Sequence, residues 1–311
     1  MKLFIVIPCY NEEEVLPTTI ERMLVLRQQI KSETSAETKL LFVDDGSKDA
    51  TWQIIHDASA QYDCILGVKL ARNRGHQNAL WAGMEQCCEL CDAMVSIDAD
   101  LQDDENAIIE MVKKAQTGVD IVYGVRKERK TDTWFKRFTA QAFYRLMKSV
   151  DPDIIYNHAD FRLMSQRSLR ALLSYGERNL FLRGIVRELG FREACVYYDR
   201  KAREAGESKY PLRKMLSFSL DGITSFSVAP IKFIALIGLL MTLASIVLVI
   251  YYVYQHAIGK TLPGWTSLMV SLWFIGGCLM LSLGTIGVYV GKIYTEVKQR
   301  PRYFIDEKVG F

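Results

Sequence analysis

The amino-acid sequence predicts an α/β domain with a mostly parallel sheet, followed by an amphipathic surface helix and two transmembrane helices. Up to about Tyr210, short apolar runs alternate with helical patterns, which is typical of βαβ units and a parallel sheet. Polar clusters follow the ends of these runs. From Ile231 onward the chain is dominated by two long apolar runs instead.

Five apolar runs predict the first strands, at residues 3–7, 40–43, 65–70, 93–97 and 120–123. They are continuous rather than alternating, as expected for strands buried on both faces. Helical patterns lie between them at residues 13–30, 50–61, 77–91 and 105–117, and residues 31–38 indicate a loop. Beyond Gly124 the pattern is less regular, with strand-like runs at 161–164 and 194–198 and helices at 134–150, 166–174 and 180–189.

One acidic stretch stands at the end of the fourth apolar run. Asp98 and Asp100 follow the buried residues directly, with Gln102 and Asp103 just behind. Two carboxylates at positions i and i+2 can converge on one hard cation through oxygen ligands. A solvated acidic turn explains the stretch equally well when it is taken alone, because Asp is a common turn residue.

Three other polar clusters also follow predicted strands. They are Tyr10-Asn11-Glu12, Asp44-Asp45 and Arg72-Asn73-Arg74-Gly75. Since ligands bind outside the carboxyl ends of the strands in open α/β sheets, all four clusters should line one crevice. The glycines form neither a dinucleotide-binding nor a P-loop motif, so a nucleotide would be held by carboxylates, Asn and Arg, with a metal on its phosphates.

Charge, cysteine spacing and the first residues exclude several classes of function. The formal net charge of +3 is too small to indicate a nucleic-acid partner. The cysteines at 87, 88 and 91 contain one C-x-x-C pair without the second pair that a zinc site needs, which favours reduced cysteines. The first eight residues predict a strand, because their apolar run is too short for a signal peptide.

The C-terminal third predicts a membrane anchor. Residues 211–226 have an apolar face at helical spacing and basic residues at their start, which suits a helix at a membrane surface. Residues 233–254 and 265–290 carry no charge and are long enough to span a bilayer. Two core helices of a soluble domain are the alternative. Basic residues flank the pair on both outer sides, while the link carries one Lys, which places both termini in the cytoplasm.

These boundaries divide the chain into four parts. Residues 1–210 form the cytoplasmic catalytic domain, 211–228 the juxtamembrane helix, 229–292 the transmembrane hairpin and 293–311 a cytoplasmic C-terminal tail. Small residues on the second span, Gly276-Gly277 and Gly284-x-x-Gly287, allow close helix packing. That packing could join copies of the chain into a homo-oligomer such as a tetramer, or act within one chain.

Together these motifs resemble the motifs of one protein family. The segments VIPCYNE (residues 6–12), VDDGS (43–47), RNxG (72–75) and DADLQD (98–103) are similar to those of family 2 inverting glycosyltransferases of the GT-A fold. DFRL (160–163), RxxGESK (203–209) and the two spans resemble more closely the polyprenyl-phosphate glycosyltransferases, the group similar to dolichol-phosphate mannose synthase and to bacterial undecaprenyl-phosphate glucosyltransferases. The resemblance covers essentially the whole chain.

The resemblance implies a role for each motif residue. The donor nucleotide-sugar would be bound by Pro8, Tyr10, Glu12, Asp44, Asp45, Arg72, Gly75 and Asp98. Mg²⁺ or Mn²⁺ would be bound by Asp98, Asp100 and Gln102. Donor and acceptor phosphates would be bound by Arg126, Arg203, Ser208 and Lys209. Asp160 occupies the position of the proposed catalytic base. The family often has Pro soon after the Leu-Gln pair, whereas this chain has Asp103-Asp104, so Asp103 is either catalytic or a cap of the next helix.

The implied activity is inverting transfer of a hexose from a nucleotide-sugar to polyprenyl phosphate at the cytoplasmic face of the cell membrane. The product would be a lipid-linked sugar for cell-envelope glycan modification. UDP-glucose is the favoured donor, with GDP-mannose and UDP-GlcNAc as alternatives. A diacylglycerol or other lipid acceptor, a processive polysaccharide synthase and a non-catalytic membrane scaffold also stay open. The synthase is disfavoured because the chain lacks a Gln-x-x-Arg-Trp motif.

Overall fold

The computed structural model describes residues 1–100, 102–127, 158–178, 180, 182–199 and 264–311, together with single residues between 231 and 258. The chain divides into two compact units. The first comprises Met1–Pro211 and Arg300–Phe311, and the second comprises Leu212–Gln299. The last residues of the chain, which the sequence assigns to a tail, therefore belong to the first unit.

The first unit is built on an eight-stranded sheet. Its strands are β1 (Lys2–Cys9), β2 (Glu37–Asp44), β3 (Ile65–Leu70), β4 (Ala93–Ser96), β5 (Ile121–Arg126), β6 (His158–Ser165), β7 (Glu193–Tyr198) and β8 (Ile305–Val309). Their order across the sheet is β7-β5-β6-β4-β1-β2-β3-β8.

Strand direction confirms the predicted, mostly parallel sheet. β1 pairs in parallel with β2 and β4, β2 with β3, and β5 with β7. Only β6 and β8 run the other way among the described strands, β6 between β4 and β5 and β8 along β3. The chain leaves β1 toward β3 and then returns to β4 on the other side of β1. This reversal opens a crevice at the carboxyl ends of β1 and β4, where α/β proteins bind ligands.

Helices cover both faces of the sheet. They are α1 (Leu16–Thr34), α2 (Thr51–Gln61), α3 (His76–Cys87), α4 (Ala107–Gln116), α5 (Gln166–Leu173) and α6 (Leu182–Glu188). Leu3, Ile5 and Ile7 of β1 share one core cluster with buried residues of α1 and α4. The alternate residue Val6 faces α3, which approaches closely at Gly83. Because β1 is covered on both faces, its residues from Leu3 to Cys9 are all buried.

The predicted strand at residues 65–70 is confirmed without change, whereas other boundaries move. α1 continues to Thr34, so the first part of the predicted loop at 31–38 is helical, and Ser35 ends the helix with a left-handed φ of 54°. α3 begins at His76 and ends at Cys87, short of the predicted residue 91. The antiparallel direction of β6 and the strand β8 were not predicted, because both depend on partners far away in the chain. The cysteines at 87, 88 and 91 are buried and form no disulfide bond in the structure.

The second unit contains α7 (Trp265–Lys298), which confirms the helix predicted for the second span. Within the described residues, one helical stretch, Phe274–Lys298, is long and apolar enough to cross a membrane. Described residues between 231 and 254 are helical, but the first predicted span lies partly outside the described residues. The two-span hairpin therefore stays a prediction, and so does the helix at 211–228, which lies wholly outside them.

Candidate active site

Hydrogen bonds between backbone N–H groups and side-chain oxygens join the first two loops of the crevice. Cys9 at the end of β1 is in register with Asp44 at the end of β2, so the two following loops start side by side. The Asn11 N–H donates to Ser47 Oγ at 3.0 Å, and Asn11 Oδ1 accepts from the Lys48 N–H at 2.9 Å. The Glu12 N–H donates to Thr51 Oγ1 at 2.9 Å. The loop carrying Tyr10 and Glu12 is therefore fixed against the loop that follows β2.

Asp44 and Asp45, which the sequence places together in the donor site, have different surroundings. Asp45 is buried, and its two oxygens accept the N–H groups of Arg74 at 2.7 Å and Gly75 at 2.8 Å. Asp44 is also buried; one oxygen accepts the Ser47 N–H at 3.1 Å, and Oδ2 has no partner among the described residues. Burial raises the pKa of Asp44. Asp45 thus fixes the loop after β3, whereas Asp44 has one buried oxygen without a partner among the described residues.

Gly46 makes this close approach between loops possible. Its φ is +66°, and a Cβ there would lie 2.7 Å from the carbonyl carbon of Arg72. Only glycine fits both the backbone angle and the space. The predicted donor residues Arg72 and Gly75 consequently lie on a loop that the Asp45-Gly46 pair holds at the sheet edge.

The acidic loop follows β4 as predicted. Its backbone is fixed to α1, because Thr19 Oγ1 donates to the Ala99 carbonyl at 2.8 Å. The Asp98 side chain is 47% exposed, and Asp100 accepts the Gln102 N–H at 3.2 Å. Partial desolvation of its carboxyl raises the pKa of Asp98; nearby His76 opposes the rise, and the carboxylates of Asp103, Asp100 and Asp160 add to it.

The donor atoms of this loop suit a hard cation. Within the residues that the structure describes, no three His, Cys, Asp or Glu side chains gather closely enough to hold a metal without other ligands. Asp98 and Asp100 are two carboxylates that repel each other. Oxygen ligands of this kind fit Mg²⁺ or Mn²⁺, with phosphate oxygens of a substrate completing the coordination.

Asp160 enters the same site from the antiparallel strand β6. Its Oδ1 accepts from Arg162 Nη2 at 2.7 Å, and its Oδ2 accepts from Arg183 Nη2 at 3.1 Å. Burial alone would raise the pKa of Asp160, but Arg183 and Arg162, with His76, outweigh it and hold the pKa well below its usual range. Arg162 is fully buried and also donates to the Leu182 carbonyl at 3.2 Å, which joins β6 to α6. Asp160 is thus an ionised carboxylate engaged by two arginines.

Asp103 lies in a different environment from Asp98 although both belong to the acidic loop. It is 2% exposed, and its Oδ1 accepts from Arg126 Nη2 at 2.8 Å and from the Tyr198 hydroxyl at 2.7 Å. Burial, followed by the Asp103 carboxylate, raises the pKa of Tyr198 and keeps its hydroxyl protonated. Asp103 caps no described helix, since α4 begins after Asn106 without a side-chain cap. Its contacts favour a structural ion pair over a catalytic role.

Sequence reasoning missed two site residues. His76 is the first residue of α3, with Nε2 3.6 Å from Asp98 Oδ1 and 4.0 Å from Asp160 Oδ2. Arg183 is the second residue of α6 and pairs with Asp160. His76 could have been found, because it directly follows the Gly75 of a quoted motif. No local signal links Arg183 to Asp160, which lies 23 residues earlier. Three predicted phosphate-binding residues, Arg203, Ser208 and Lys209, lie outside the described residues.

Comparisons with known proteins point to one family. The family model described as glycosyl transferase family 2 matches residues 4–173. The uncharacterized glycosyltransferase YkoT of Bacillus subtilis (strain 168) is 53% identical over 306 residues, which cover 98% of this chain and 91% of the relative. The prophage bactoprenol glucosyl transferase homolog of Escherichia coli (strain K12) is 36% identical over 307 residues, 98% of each chain. The bactoprenol glucosyl transferase of Shigella phage SfII is 37% identical over 307 residues, 98% of this chain and 97% of the relative.

Proposed function

The chain belongs to glycosyl transferase family 2, and from that premise we propose that it transfers a hexose to polyprenyl phosphate. Its α/β domain has the GT-A-like fold, and the protein is a glycosyltransferase. The proposed donor is UDP-glucose and the proposed acceptor is undecaprenyl phosphate. A relative at 37% identity is named bactoprenol glucosyl transferase and one at 36% a homolog of that enzyme, which supports glucose as the sugar and a polyprenyl phosphate as the acceptor.

One observation carries the proposal. Asp98, on the loop after β4, and Asp160, on β6, both lie within 4.0 Å of Nε2 of the same imidazole, that of His76. Asp98 and Asp100 supply the anionic side of the site, and the two arginines around Asp160 supply the cationic side. An anionic side suits a metal-bound diphosphate, and a guanidinium side suits a phosphate monoester. The site can therefore take a nucleotide-sugar and a lipid phosphate together.

The donor would occupy the crevice between β1 and β4. Pro8 near the end of β1, with Tyr10 and Glu12 on the loop that follows, would border it on one side, and Arg72 and Gly75 on the loop after β3 would border it on the other. The buried Asp44 Oδ2 would accept a hydrogen bond from the nucleobase or ribose. Asp98, Asp100 and Gln102 would hold Mg²⁺ or Mn²⁺. Such an ion, when bound, offsets negative charge on the departing nucleoside diphosphate.

In the proposed reaction an oxygen of the lipid phosphate attacks the anomeric carbon of the sugar. A new carbon–oxygen bond forms as the bond to the nucleoside diphosphate breaks, and the electron pair leaves with the diphosphate on the opposite face, which inverts the centre. A phosphate monoester has a second pKa of ~6, so it is already anionic at neutral pH. No proton needs to be removed, and Asp160, whose pKa is held low, is a poor base. Asp160 would instead orient the arginines that bind the acceptor.

The acceptor is proposed to reach the site from the membrane. α7 supplies a stretch that could span the bilayer, in keeping with an isoprenoid tail that stays in the lipid. Arg126 would contribute to phosphate binding through the part of its guanidinium that Asp103 does not engage. Arg203, Ser208 and Lys209 are proposed for the same role. We place the catalytic domain and both termini in the cytoplasm, with two spans in the cell membrane.

Transfer from labelled UDP-glucose to undecaprenyl phosphate tests the proposal in the full-length, detergent-purified protein. Asp98→Asn should lower kcat by about 1000-fold, because a metal contributes several kcal/mol of charge stabilisation. Asp160→Asn should mainly raise the KM for the lipid phosphate, since its role is in acceptor binding. Asp57→Asn, on the exposed face of α2, is the matched control and should leave both constants unchanged.

Two results would contradict this assignment. Equal losses for Asp160→Asn and Asp98→Asn, at saturating donor and acceptor and across a range of pH, would make Asp160 the base. Absence of transfer by the wild type from UDP-glucose would remove the proposed donor. A thermal-shift series with Mn²⁺ and UDP-glucose, UDP-GlcNAc or GDP-mannose then identifies the donor that the protein binds.

A further inference from the structure

His76 lies between the two charged parts of the active site. Its Nε2 is 3.6 Å from Asp98 Oδ1 and 4.0 Å from Asp160 Oδ2, and its side chain is partly buried. Both distances are longer than a hydrogen bond, so His76 lies close to both carboxylates without a hydrogen bond to either. One nitrogen of His76 therefore lies near a carboxylate of each part.

The strand pairing explains why these carboxylates need a group between them. β4 and β6 are antiparallel neighbours in which Ser96 is in register with Arg162. Asp98 follows the end of β4, and Asp160 lies near the start of β6, so both reach the same edge of the sheet. Nearby like charges repel, and a hydrogen-bond donor between them lowers that cost.

Hydrogen bonds fix the backbone that precedes His76. Asp45 accepts the N–H groups of Arg74 and Gly75, and the Asn78 side chain donates to the Arg74 carbonyl at 2.8 Å. Gly75 has a φ of +88° and precedes the first turn of α3. The His76 side chain therefore extends from a helix end whose backbone is fixed.

We propose that His76 is a positioning residue that couples the donor side of the site, at Asp98, to the acceptor side, at Asp160. Contact with Asp98 orients that carboxylate toward the metal and donor diphosphate. Contact with Asp160 holds it in the orientation in which it engages Arg162 and Arg183. The inference rests on the proposed function, and it adds a residue that acts through two others without itself binding the transferred sugar.

The first measurement is metal binding without substrate. Mn²⁺ is titrated into the full-length protein in detergent, and the free ion is followed by electron paramagnetic resonance. His76→Ala should weaken Mn²⁺ binding on the order of 10-fold, as is usual for groups that orient a metal ligand. His76→Gln keeps an N–H donor of similar reach and should restore most of the affinity. His56→Ala, on exposed α2, is the control and should bind Mn²⁺ like the wild type.

The second measurement is a double-mutant cycle on kcat/KM for the lipid phosphate. His76→Ala alone should lower this kcat/KM on the order of 10- to 100-fold. If His76 acts through Asp160, the kcat/KM of the double variant His76→Ala/Asp160→Asn should stay within about twofold of that of the less active single variant. The melting temperatures of all variants show which of them remain folded. If His76→Ala is unfolded, His76→Gln takes its place in the cycle.

Several outcomes would overturn the inference. They are wild-type Mn²⁺ affinity in His76→Ala, losses that multiply in the double variant, or a His76→Gln variant no better than His76→Ala. Failure of the proposed function is distinguishable, because the wild type would then transfer no sugar to lipid phosphate. The Mn²⁺ titration would still test the contact of His76 with Asp98 in that case.

Discussion

At the residue scale, the acidic loop shows that identical side chains acquire different tasks from their neighbours. Asp98 stays half-exposed beside His76, whereas Asp103 is buried against Arg126 and Tyr198. Removing one member of a buried ion pair leaves the other charge without compensation. Asp103 should therefore matter chiefly for stability and Asp98 chiefly for activity.

The Asp103→Asn variant tests this division. Breaking the pair should cost about 3–5 kcal/mol and lower the melting temperature by about 10 °C. Tyr198→Phe removes one hydrogen bond and should cost only about 1 kcal/mol. Differential scanning fluorimetry in detergent measures both, with the exposed Asp63→Asn as the control. A fully stable Asp103→Asn protein with greatly reduced kcat would instead make Asp103 catalytic.

At the element scale, the site depends on how closely α3 packs on the sheet. Gly83 faces Val6 of β1 and Val43 of β2, and a Cβ there would meet Val6 Cγ1 and lie 3.0 Å from Val43 Cγ2. α3 also begins with His76, so its distance from the sheet sets where that imidazole stands. An added methyl group would move the helix and the site residue together.

Gly83→Ala should consequently destabilise the protein by about 1–3 kcal/mol, the usual cost of overpacking a core. Alanine's better helix propensity, worth about 1 kcal/mol, works against this and sets the lower end of the range. Gly176→Ala is the matched control, because nothing lies within 4 Å of a Cβ there. Thermal melts compare the two, and equal melting temperatures would show that α3 tolerates the displacement.

At the scale of the whole molecule, the last residues return to the catalytic unit after α7. β8 pairs with β3, and the Ala71 N–H donates to the Phe304 carbonyl at 2.9 Å. Arg302 donates to the Tyr175 carbonyl at 3.0 Å and stacks on Trp81 at 4.0 Å. α7 ends at Lys298, and the segment from Arg300 onward belongs to the unit that carries the site.

The two-span arrangement makes a topological prediction. In a background without the seven native cysteines, Lys260→Cys in the link should react with a membrane-impermeant maleimide added to intact cells. Arg300→Cys should react only after the membrane is permeabilised, because the positive-inside rule places the C-terminus in the cytoplasm. Labelling of both positions, or of Arg300→Cys alone, in intact cells would contradict this topology.

The sequence by itself determined most of the elements of the α/β domain and their order, though not β8, because burial on a strand or helix leaves a local period in the residues. The runs before Asp44 and Asp98 predicted β2 and β4, and the position of their polar ends predicted a shared crevice. The same motifs predicted the family. These features are local, or follow from general rules of parallel sheets.

Only the tertiary structure decided which charged groups meet. Asp103 pairs with Tyr198, 95 residues away, and Asp160 with Arg183 on a short helix. The antiparallel insertion of β6 brings Asp160 to the crevice, and β8 completes the far edge of the sheet. Such pairings have no local period, because they depend on strand order and on the packing of distant segments. His76 acquires its position between Asp98 and Asp160 for this reason.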